Sequence, residues 1–239
     1  MERPRAWTCQ GVNEHDAGSP FIVARVGAES DPSSFVELRR EGEREGRGIH
    51  CDLAQISLRG GLAQARAMPI VKALGDARTV VDATAGLLGD AFLLAAAGFR
   101  VIALERSPQV HQLAVDGLAR ARRDPRLLAL IEDRLEVVHA DARAWLDAHA
   151  GTDAAPDAVV IDPMFPPKKK KSALPRKEMV VLRALVGSDH DADELVAAAR
   201  RCARMRVVLK RSDDAPELAT PDWSVEGKTV RFDVWRAGS

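Results

Sequence analysis

The stretch Val80-Val-Asp-Ala-Thr-Ala-Gly-Leu-Leu-Gly-Asp90 decides the fold. It contains the end of a short apolar strand, Thr79 to Asp82, and then a turn with two glycines. A helical run from Asp90 to Ala97 follows and stops at Gly98, a residue that commonly ends helices. The next segment, Arg100 to Glu105, again has the apolar content of a buried strand. Strand, turn, helix and strand in this order predict two parallel strands joined by a helical crossover.

The same alternation continues towards the end of the chain. Ser107 followed by Pro108 predicts a helix start, and Asp191 and Glu194 have the spacing of a capping box at the start of a helix that reaches Arg204. Further strands are expected at Leu135–His139, Ala158–Ile161 and Arg206–Leu209, and a closing β-hairpin at Trp223–Val225 and Thr229–Trp235. Strands this apolar, alternating with helices, predict an α/β fold with a mostly parallel sheet covered on both faces. Five such units and a terminal hairpin are the chain order of Rossmann-like class I methyltransferases.

Residues 1–60 have a different character from residues 61–239, which form the main predicted domain. Short β-type runs at Phe21–Val26, Ser34–Leu38 and Gly48–Leu53 predict a small β-rich N-terminal region. The charged stretch Arg39–Arg47 separates the last two runs and is expected at a hairpin tip. Its charges alternate in sign, which favours a solvated loop over a nucleic-acid-binding finger.

Composition excludes several classes of protein. The chain has 239 residues, of which 46% are hydrophobic, so it is neither disordered nor fibrous. Lys+Arg and Asp+Glu number 35 each, so any binding to a polyanion must come from a local patch. Three cysteines without a CxxC pair indicate neither a disulfide framework nor a metal site. The longest apolar run, Ala91 to Phe99, is too short to span a membrane, and no signal peptide is recognisable, so a cytoplasmic protein is expected.

The turn after the first parallel strand predicts a nucleotide-containing ligand. Gly86 and Gly89 let the backbone approach a ligand closely, and Glu105 at the end of the next strand can accept hydrogen bonds from both hydroxyls of a ribose. NAD and S-adenosylmethionine sites share these features. Asp82 and Asp90 favour S-adenosylmethionine, because carboxylates attract its sulfonium and amino groups and repel phosphates. The alternative is that Asp90 only caps a helix and Glu105 is an exposed strand end.

Another acidic residue, Asp141, follows the strand Leu135–His139. Its side chain can accept a hydrogen bond from an adenine amine, and the following backbone at Ala142 offers an N–H. An Asp in this position is also a common helix N-cap, so both roles stay open.

The loop after the fourth strand, Asp162-Pro-Met-Phe165, carries the most specific chemical signal. It resembles the loop of methyltransferases that modify exocyclic amines. Such an amine is a poor nucleophile, and Asp162 with the carbonyl of Pro163 can accept its N–H groups and orient its lone pair. Phe165 offers a face on which a base can stack, which is worth about 1–3 kcal/mol. The alternative is a proline-rich turn with a core phenylalanine.

A basic segment begins within a few residues of this loop. From Met164 to Arg183 the chain has seven basic residues and one acid, Glu178, a local balance of +6. Candidate RNA-binding residues in and beyond it are Lys168, Lys169, Lys170, Lys171, Arg176, Lys177 and Lys210. Since counterion release favours contacts of Lys and Arg with phosphates, we expect RNA or DNA to bind here. The alternative is a solvated charged face.

These motifs resemble those of the RsmJ family, bacterial methyltransferases that modify a guanine N2 in small-subunit ribosomal RNA. The matching stretches include Val80–Leu87, Asp90–Phe92, Leu104–Arg106, Asp162–Pro166, Lys171–Leu174, Lys177–Met179, Leu185–Gly187, Asp191–Asp193, Val207–Arg211 and Arg231–Val234. The resemblance implies a cofactor site for S-adenosylmethionine formed by Gly89, Asp90, Glu105, Arg106, Asp141, Ala142 and Asp162, together with a 16S rRNA or small-subunit substrate and no metal.

Three stretches depart from the family pattern. Gly86-Leu-Leu-Gly-Asp90 replaces Gly-Leu-Gly-Arg-Asp, and Asp141-Ala142 replaces a pair of small hydroxyl residues. Ser57-Leu-Arg-Gly-Gly61 is what is left of a His-Arg-Arg and glycine-rich run. The expected activity is methyl transfer to a guanine N2 of 16S rRNA. The alternatives are an N-methyltransferase for DNA or a protein amide, a non-catalytic RNA-binding assembly factor and, last, an NAD-dependent dehydrogenase.

Overall fold

The computed structural model describes residues 20–56, 58, 61–164, 177–187, 191–212, 215 and 218–237. The strands are Phe21–Val26 (β1), Phe35–Arg40 (β2), Thr79–Asp82 (β3), Arg100–Glu105 (β4), Leu135–His139 (β5), Ala158–Ile161 (β6), Arg206–Arg211 (β7), Trp223–Glu226 (β8) and Arg231–Arg236 (β9). The helices are Gly61–Arg66 (α1), Pro69–Leu74 (α2), Gly89–Ala97 (α3), Pro108–Arg123 (α4), Pro125–Ile131 (α5), Ala142–His149 (α6), Lys177–Val186 (α7) and Ala192–Cys202 (α8).

Strands β3 to β9 form one sheet in the order β5-β4-β3-β6-β7-β9-β8. Strand β3 pairs in parallel with both β4 and β6, whereas β9 is antiparallel to β7 and β8. The chain therefore builds the sheet outward from β3 to β5 and then returns to the other side of β3 for β6 and β7. The carboxyl ends of β3, β4 and β6 meet where the order reverses, which is where open α/β sheets bind ligands. The predicted Rossmann-like fold with a C-terminal hairpin is confirmed.

Both faces of the sheet are covered, which explains its continuously apolar strands. Along β3 and β6, Val80 and Val160 face one hydrophobic cluster with α3 and α4, and Val81 and Val159 face a second one with α6 and α8. All four side chains are almost completely buried. Because successive residues of a strand point to opposite faces, only a strand apolar at every position can be buried on both sides.

The N-terminal hairpin of β1 and β2 packs on α4. The backbone N–H of Val36 donates to the Asp116 carboxylate on α4 at 3.1 Å, and buried Leu38 joins the same hydrophobic cluster as α3. The predicted third run is wrong in its extent, since a single bridge links Ile49 to Leu38 and a short 3-10 helix, Leu53–Gln55, follows. The division of the chain at residue 60 stays a prediction.

The charged stretch after β2 folds around a buried carboxylate. Glu37 is completely buried, and its oxygens accept hydrogen bonds from the Arg39 guanidinium and from the backbone N–H groups of Gly46 and Gly48. A Cβ at Gly48 would lie 2.6 Å from the Leu38 carbonyl oxygen, so only glycine fits beside this strand. The loop is therefore held in one shape by the strand that precedes it.

Candidate active site

A cavity opens at the carboxyl ends of the parallel strands. Its lining comes from the segments that follow β3, β4, β5 and β6, and from α7 and α8. The residues that carry polar groups into it are Thr84, Glu105, Arg106, Asp141, Arg143, Asp162 and Asp191. The sheet thus brings together four of the acidic side chains that the sequence places far apart.

The two glycines of the turn after β3 border open space. Gly86 has a φ of +51°, and a Cβ added there would meet no heavy atom nearer than the Thr84 carbonyl oxygen at 3.9 Å. A Cβ at Gly89, the first residue of α3, would meet nothing within 4 Å. The backbone at both positions therefore has space beside it, and the close approach of a ligand there stays a prediction.

Leu88, between these glycines, has a strained backbone. Its φ is +63°, in the left-handed region, and its side chain is completely buried beneath the turn. This is the position at which the family pattern has glycine. Packing of the leucine side chain offsets a backbone cost of about 1–2 kcal/mol for a residue with a Cβ.

Substitutions at Leu88 should therefore reverse the usual order of alanine and glycine. Leu88→Ala is expected to cost about 2–5 kcal/mol of stability because a buried side chain is lost. Leu88→Gly should be about 1 kcal/mol more stable than the alanine variant, because glycine adopts positive φ without strain. Urea denaturation measures both. At the control position Leu94, buried within α3, glycine should be the less stable of the two. The same order at both positions would contradict a strained Leu88.

Glu105 is a buried carboxylate held by two backbone groups. It is 8% exposed, and its oxygens accept hydrogen bonds from Gly86 N–H at 3.0 Å and from Ser107 N–H at 2.7 Å. The alternative of an exposed strand end is therefore wrong. These bonds tie the glycine turn to the start of α4 and orient the carboxylate. A carboxylate has about four lone-pair positions, so it can accept hydrogen bonds from more than two donors.

Asp141 is the N-cap of α6, and its role towards an adenine amine stays a prediction. Its Oδ1 accepts a hydrogen bond from Ala144 N–H at 3.1 Å and so caps α6, and the residue also lines the cavity. Ala142 is buried beside it and lines the same wall. The cap explains why an aspartate can occupy this position whether or not it touches a ligand.

Asp162 follows β6 directly, and the loop is attached to the turn after β3. The backbone N–H of Asp162 donates to Thr84 Oγ1 at 2.7 Å, and Pro163 is buried behind it. The Asp162 side chain is 44% exposed, and one of its oxygens lies 2.9 Å from Lys210 Nζ. Phe165, Lys168 to Lys171 and Arg176 lie outside the described residues, so the stacking and phosphate contacts assigned to them stay predictions.

Lys210 differs from its predicted place in the basic patch. Its ammonium lies 2.6 Å from Asp90 and 2.9 Å from Asp162, which lines the cavity, so two carboxylates of the protein already bind it. Burial alone would lower the pKa of Lys210, but the charges of Asp162 and Asp90 outweigh it and raise that pKa above its ordinary value. The ammonium therefore stays charged. The sequence shows a lysine after β7 but cannot show that it faces two acids.

Asp82 is buried close to Lys210 and its two partners, Asp90 and Asp162. It is 3% exposed, and its Oδ1 accepts a hydrogen bond from Thr84 N–H at 3.1 Å. Burial, with the neighbouring charge of Asp90, raises the pKa of Asp82 to about 7. The Asp82 carboxyl therefore supports the turn through its bond to Thr84. Its charge near neutral pH depends on its burial and on neighbouring charges such as that of Asp90.

Comparison with known proteins also indicates a methyltransferase. A family model described as "Putative SAM-dependent methyltransferase" matches residues 28–237. A protein of Cronobacter sakazakii named Ribosomal RNA small subunit methyltransferase J is 42% identical over 92% of this chain and 88% of its own length. A protein of the same name from Shewanella amazonensis is 45% identical over 74% of this chain and 70% of its own length. The chain belongs to this methyltransferase family.

A solved structure supports the assignment. The crystal structure of a SAM-dependent methyltransferase from Neisseria gonorrhoeae has a TM-score of 0.67 and is 32% identical, over 86% of this chain and 80% of its own. The protein is thus an enzyme that uses S-adenosylmethionine. In the described part of the methyltransferase, no helix combines the length and apolar character that a membrane crossing needs.

The cavity of the methyltransferase has a charged rim that the sequence did not predict. Asp191 lies 3.1 Å from the Arg106 guanidinium and 3.3 Å from that of Arg143, which also contacts Glu194. The predicted capping box is wrong, because Asp191 makes no side-chain hydrogen bond to the backbone of α8. Arg106 thus lines the cavity, as expected, but together with a partner 85 residues away in the sequence.

Lys177, at the start of α7, contacts the N-terminal region. Its ammonium lies 2.9 Å from Glu43 and also contacts the carbonyl oxygen of Arg47. In the structure it therefore joins the loop after β2 to α7, whereas the sequence predicts that it binds RNA. Its side chain is half exposed, which leaves room for both contacts.

Asp82 should make the stability of the methyltransferase depend on pH. Because its pKa is about 7 when folded and near 3.8 when unfolded, folding binds a proton between these values, and the Asp82 contribution to stability falls as pH rises from about 4 to 7. Without cofactor, we compare the free energy of unfolding of Asp82→Asn with that of the native protein. The difference, variant minus native, should rise by about 1–4 kcal/mol from pH 5 to pH 8. Urea denaturation at both pH values measures this. Both proteins keep Asp90, Asp162 and Lys210, so these groups do not account for a change in the difference. The same difference in free energy of unfolding at both pH values would contradict the prediction.

Proposed function

We propose that this methyltransferase transfers a methyl group to the exocyclic N2 amine of a guanine in 16S ribosomal RNA. The observation that carries the proposal is the Asp162 carboxylate, which follows a buried strand, borders the cavity and precedes Pro163. The names of the curated relatives support a substrate in the small ribosomal subunit.

The residues around the cavity fit S-adenosylmethionine. Gly86 and Gly89 leave the space that a Cβ would fill, and the fixed Glu105 carboxylate can accept hydrogen bonds from two vicinal hydroxyls. Asp141 and Ala142 also line the cavity, and a side-chain acceptor with a backbone donor suits an adenine edge. Asp90, in the first turn of α3, carries a negative charge that it shares between Lys210 and a cationic group of the cofactor. When bound, the cofactor supplies a methyl group activated by its sulfonium.

The chain's own contribution to the reaction is positioning. The Asp162 carboxylate and the Pro163 carbonyl accept the two N–H groups of the amine, so that the nitrogen lone pair is directed at the methyl group. Asp162 is itself held through its backbone by Thr84, which belongs to the cofactor turn. This bond fixes the acceptor for the substrate relative to the cofactor site, and correct placement of two reactants supplies a large part of the rate.

A base inside a helix cannot reach such a cavity. The target guanine has to leave its stack or be unpaired already, at a cost of a few kcal/mol in the first case. We propose that Phe165 stacks on the base and that Lys168 to Lys171 and Arg176 contact the adjoining phosphates. Since bacterial ribosomes are assembled in the cytoplasm, we also propose that the methyltransferase works there.

The proposal is tested by offering tritiated S-adenosylmethionine with small ribosomal subunits, naked 16S rRNA, DNA and protein. Label is expected in 16S rRNA, and nuclease digestion with chromatography should identify N2-methylguanosine. Label only in DNA or in a protein amide would replace the substrate. Cofactor binding by calorimetry with no transfer to any acceptor would favour a non-catalytic RNA-binding factor.

A further inference from the structure

Four charged side chains from four elements lie close together, and one of them, Asp162, lines the cavity. Asp82 ends β3, Asp90 lies in the first turn of α3, Asp162 follows β6 and Lys210 is near the end of β7. The Lys210 ammonium joins two of them, at 2.6 Å from Asp90 and 2.9 Å from Asp162. Its side chain is 23% exposed, so this contact lies inside the protein more than on its surface.

The placement of Lys210 follows from the strand that carries it. Its neighbour Arg211 points to the other face of the sheet and forms a buried ion pair with Asp233 on β9 at 2.6 Å. Because successive residues of a strand alternate between faces, the two basic side chains separate. Lys210 points to the site and Arg211 to the hairpin, so the pair does not form one basic patch.

The charge balance shows what Lys210 does for its partners. Without it, Asp90 and Asp162 would lose the ammonium that contacts both of them, and like charges in a partly buried site favour the protonated form. An ammonium in direct contact stabilises the ionised form instead. A protonated carboxyl has lost acceptor capacity, and that capacity is what an N–H group of the substrate requires.

We propose that Lys210 is a positioning residue for methyl transfer, which holds the Asp162 carboxylate ionised and oriented towards the substrate amine. The inference rests on the proposed function, because it gives Asp162 the role of acceptor for that amine. It replaces the expectation that Lys210 binds RNA phosphate. Among the described residues, the charged groups next to Asp162 are Lys210 from β7, Asp90 from α3 and Asp82 from β3, while Arg106 and Asp191 line the same cavity.

The test compares Lys210→Met with Lys210→Arg, which keeps the charge, and with Lys228→Met, which removes an exposed lysine from the turn between β8 and β9. For the methionine variant, kcat at pH 7 should fall by about 30- to 100-fold, no more than on removal of Asp162 itself, and the acid limb of the pH–rate profile should move up by one pH unit or more. The arginine variant should recover to within about tenfold of the native rate, with the acid limb unmoved. Lys228→Met should match the native protein.

Two binding measurements separate this role from the others. Removing a cation near a cationic cofactor should leave the calorimetric Kd of S-adenosylmethionine unchanged or lower, and KM for RNA and its salt dependence should change less than threefold. A normal kcat with a raised RNA KM and a shallower salt dependence would show a phosphate contact and overturn the proposal. So would lost activity with an unmoved pH profile and no rescue by arginine, which indicates a purely structural role.

The result is also separable from failure of the proposed substrate. Native protein is assayed first, and the variants are measured on whichever acceptor it methylates, so a different acceptor overturns the substrate but not the role of Lys210. If Lys210→Met does not fold, as judged by circular dichroism, Lys210→Gln takes its place with the same expected shift. A glutamine variant with the native pH profile and rate would overturn the role of Lys210.

Discussion

Asp162→Ala should lower the rate of methyl transfer by about 100- to 1,000-fold while the protein stays folded, as expected when one preorganised polar group at a reacting centre is removed. The variant loses the carboxylate that accepts the substrate N–H but keeps its backbone N–H bond to Thr84 Oγ1. Because the Asp162 side chain is 44% exposed, its removal should change the free energy of unfolding by less than about 1 kcal/mol. Lys210 stays paired with Asp90.

The measurement is transfer of tritiated methyl to 16S rRNA, together with urea denaturation. Asp162→Asn serves as the isosteric comparison and should be nearly as slow, since an amide is a weaker acceptor and carries no charge. The matched control is Asp153→Ala, which removes an exposed carboxylate from the loop before β6 and should leave the rate unchanged. An Asp162→Ala protein with the native rate would remove this mechanism.

Glu105→Ala should weaken the binding of S-adenosylmethionine by about 100-fold. Two hydrogen bonds to a charged group are worth about 3 kcal/mol together, and each 1.4 kcal/mol is a factor of ten in Kd. The substitution also leaves the N–H groups of Gly86 and Ser107 without the carboxylate that joins them, so the glycine turn loses its link to α4. Both effects weaken binding in the same direction.

Isothermal calorimetry with S-adenosylmethionine measures this loss. Glu105→Gln should fall between the native protein and the alanine variant, since its amide oxygen can accept one of the two backbone bonds. Glu136→Ala, on the neighbouring strand β5, removes an exposed carboxylate and should bind the cofactor normally. Unchanged binding by Glu105→Ala would show that this carboxylate only supports the turn.

The regular part of the fold could be predicted from sequence because it depends on local pattern. Strand β3 and helix α3 are marked by an apolar run, two glycines and the terminal Gly98, and each of these signals acts within a few residues. The segment 48–53 was predicted less well, because its β-type composition is overridden by the Asp52 side chain, which caps a short 3-10 helix by accepting from Ala54 N–H. The capping box predicted at Asp191 was wrong for a related reason. Two arginines bind the side chain that the capping pattern assigns to the backbone.

Part of the site could also be predicted from sequence. Glu105 and Asp162 stand at strand ends, and in a parallel sheet all such ends lie on one edge, so order along the chain is enough to bring them together. The partners of these acids could not be predicted in the same way. Lys210 is 120 residues from Asp90, and nothing local to β7 indicates which face or which acid it meets.

The order of apolar strands, glycine turns and acidic strand ends by itself determined that this chain forms a parallel sheet with a nucleotide-type cavity along one edge. Only the tertiary structure decided the charges within that cavity: Lys210 between two aspartates, Asp82 buried beneath them, and Asp191 between two arginines. The physical reason is the distance along the chain over which each kind of interaction acts. Hydrogen bonds and apolar periodicity along a strand or helix act between near neighbours, whereas the ionisation of a side chain depends on every charge within several ångströms, and the folded chain alone determines which charges those are.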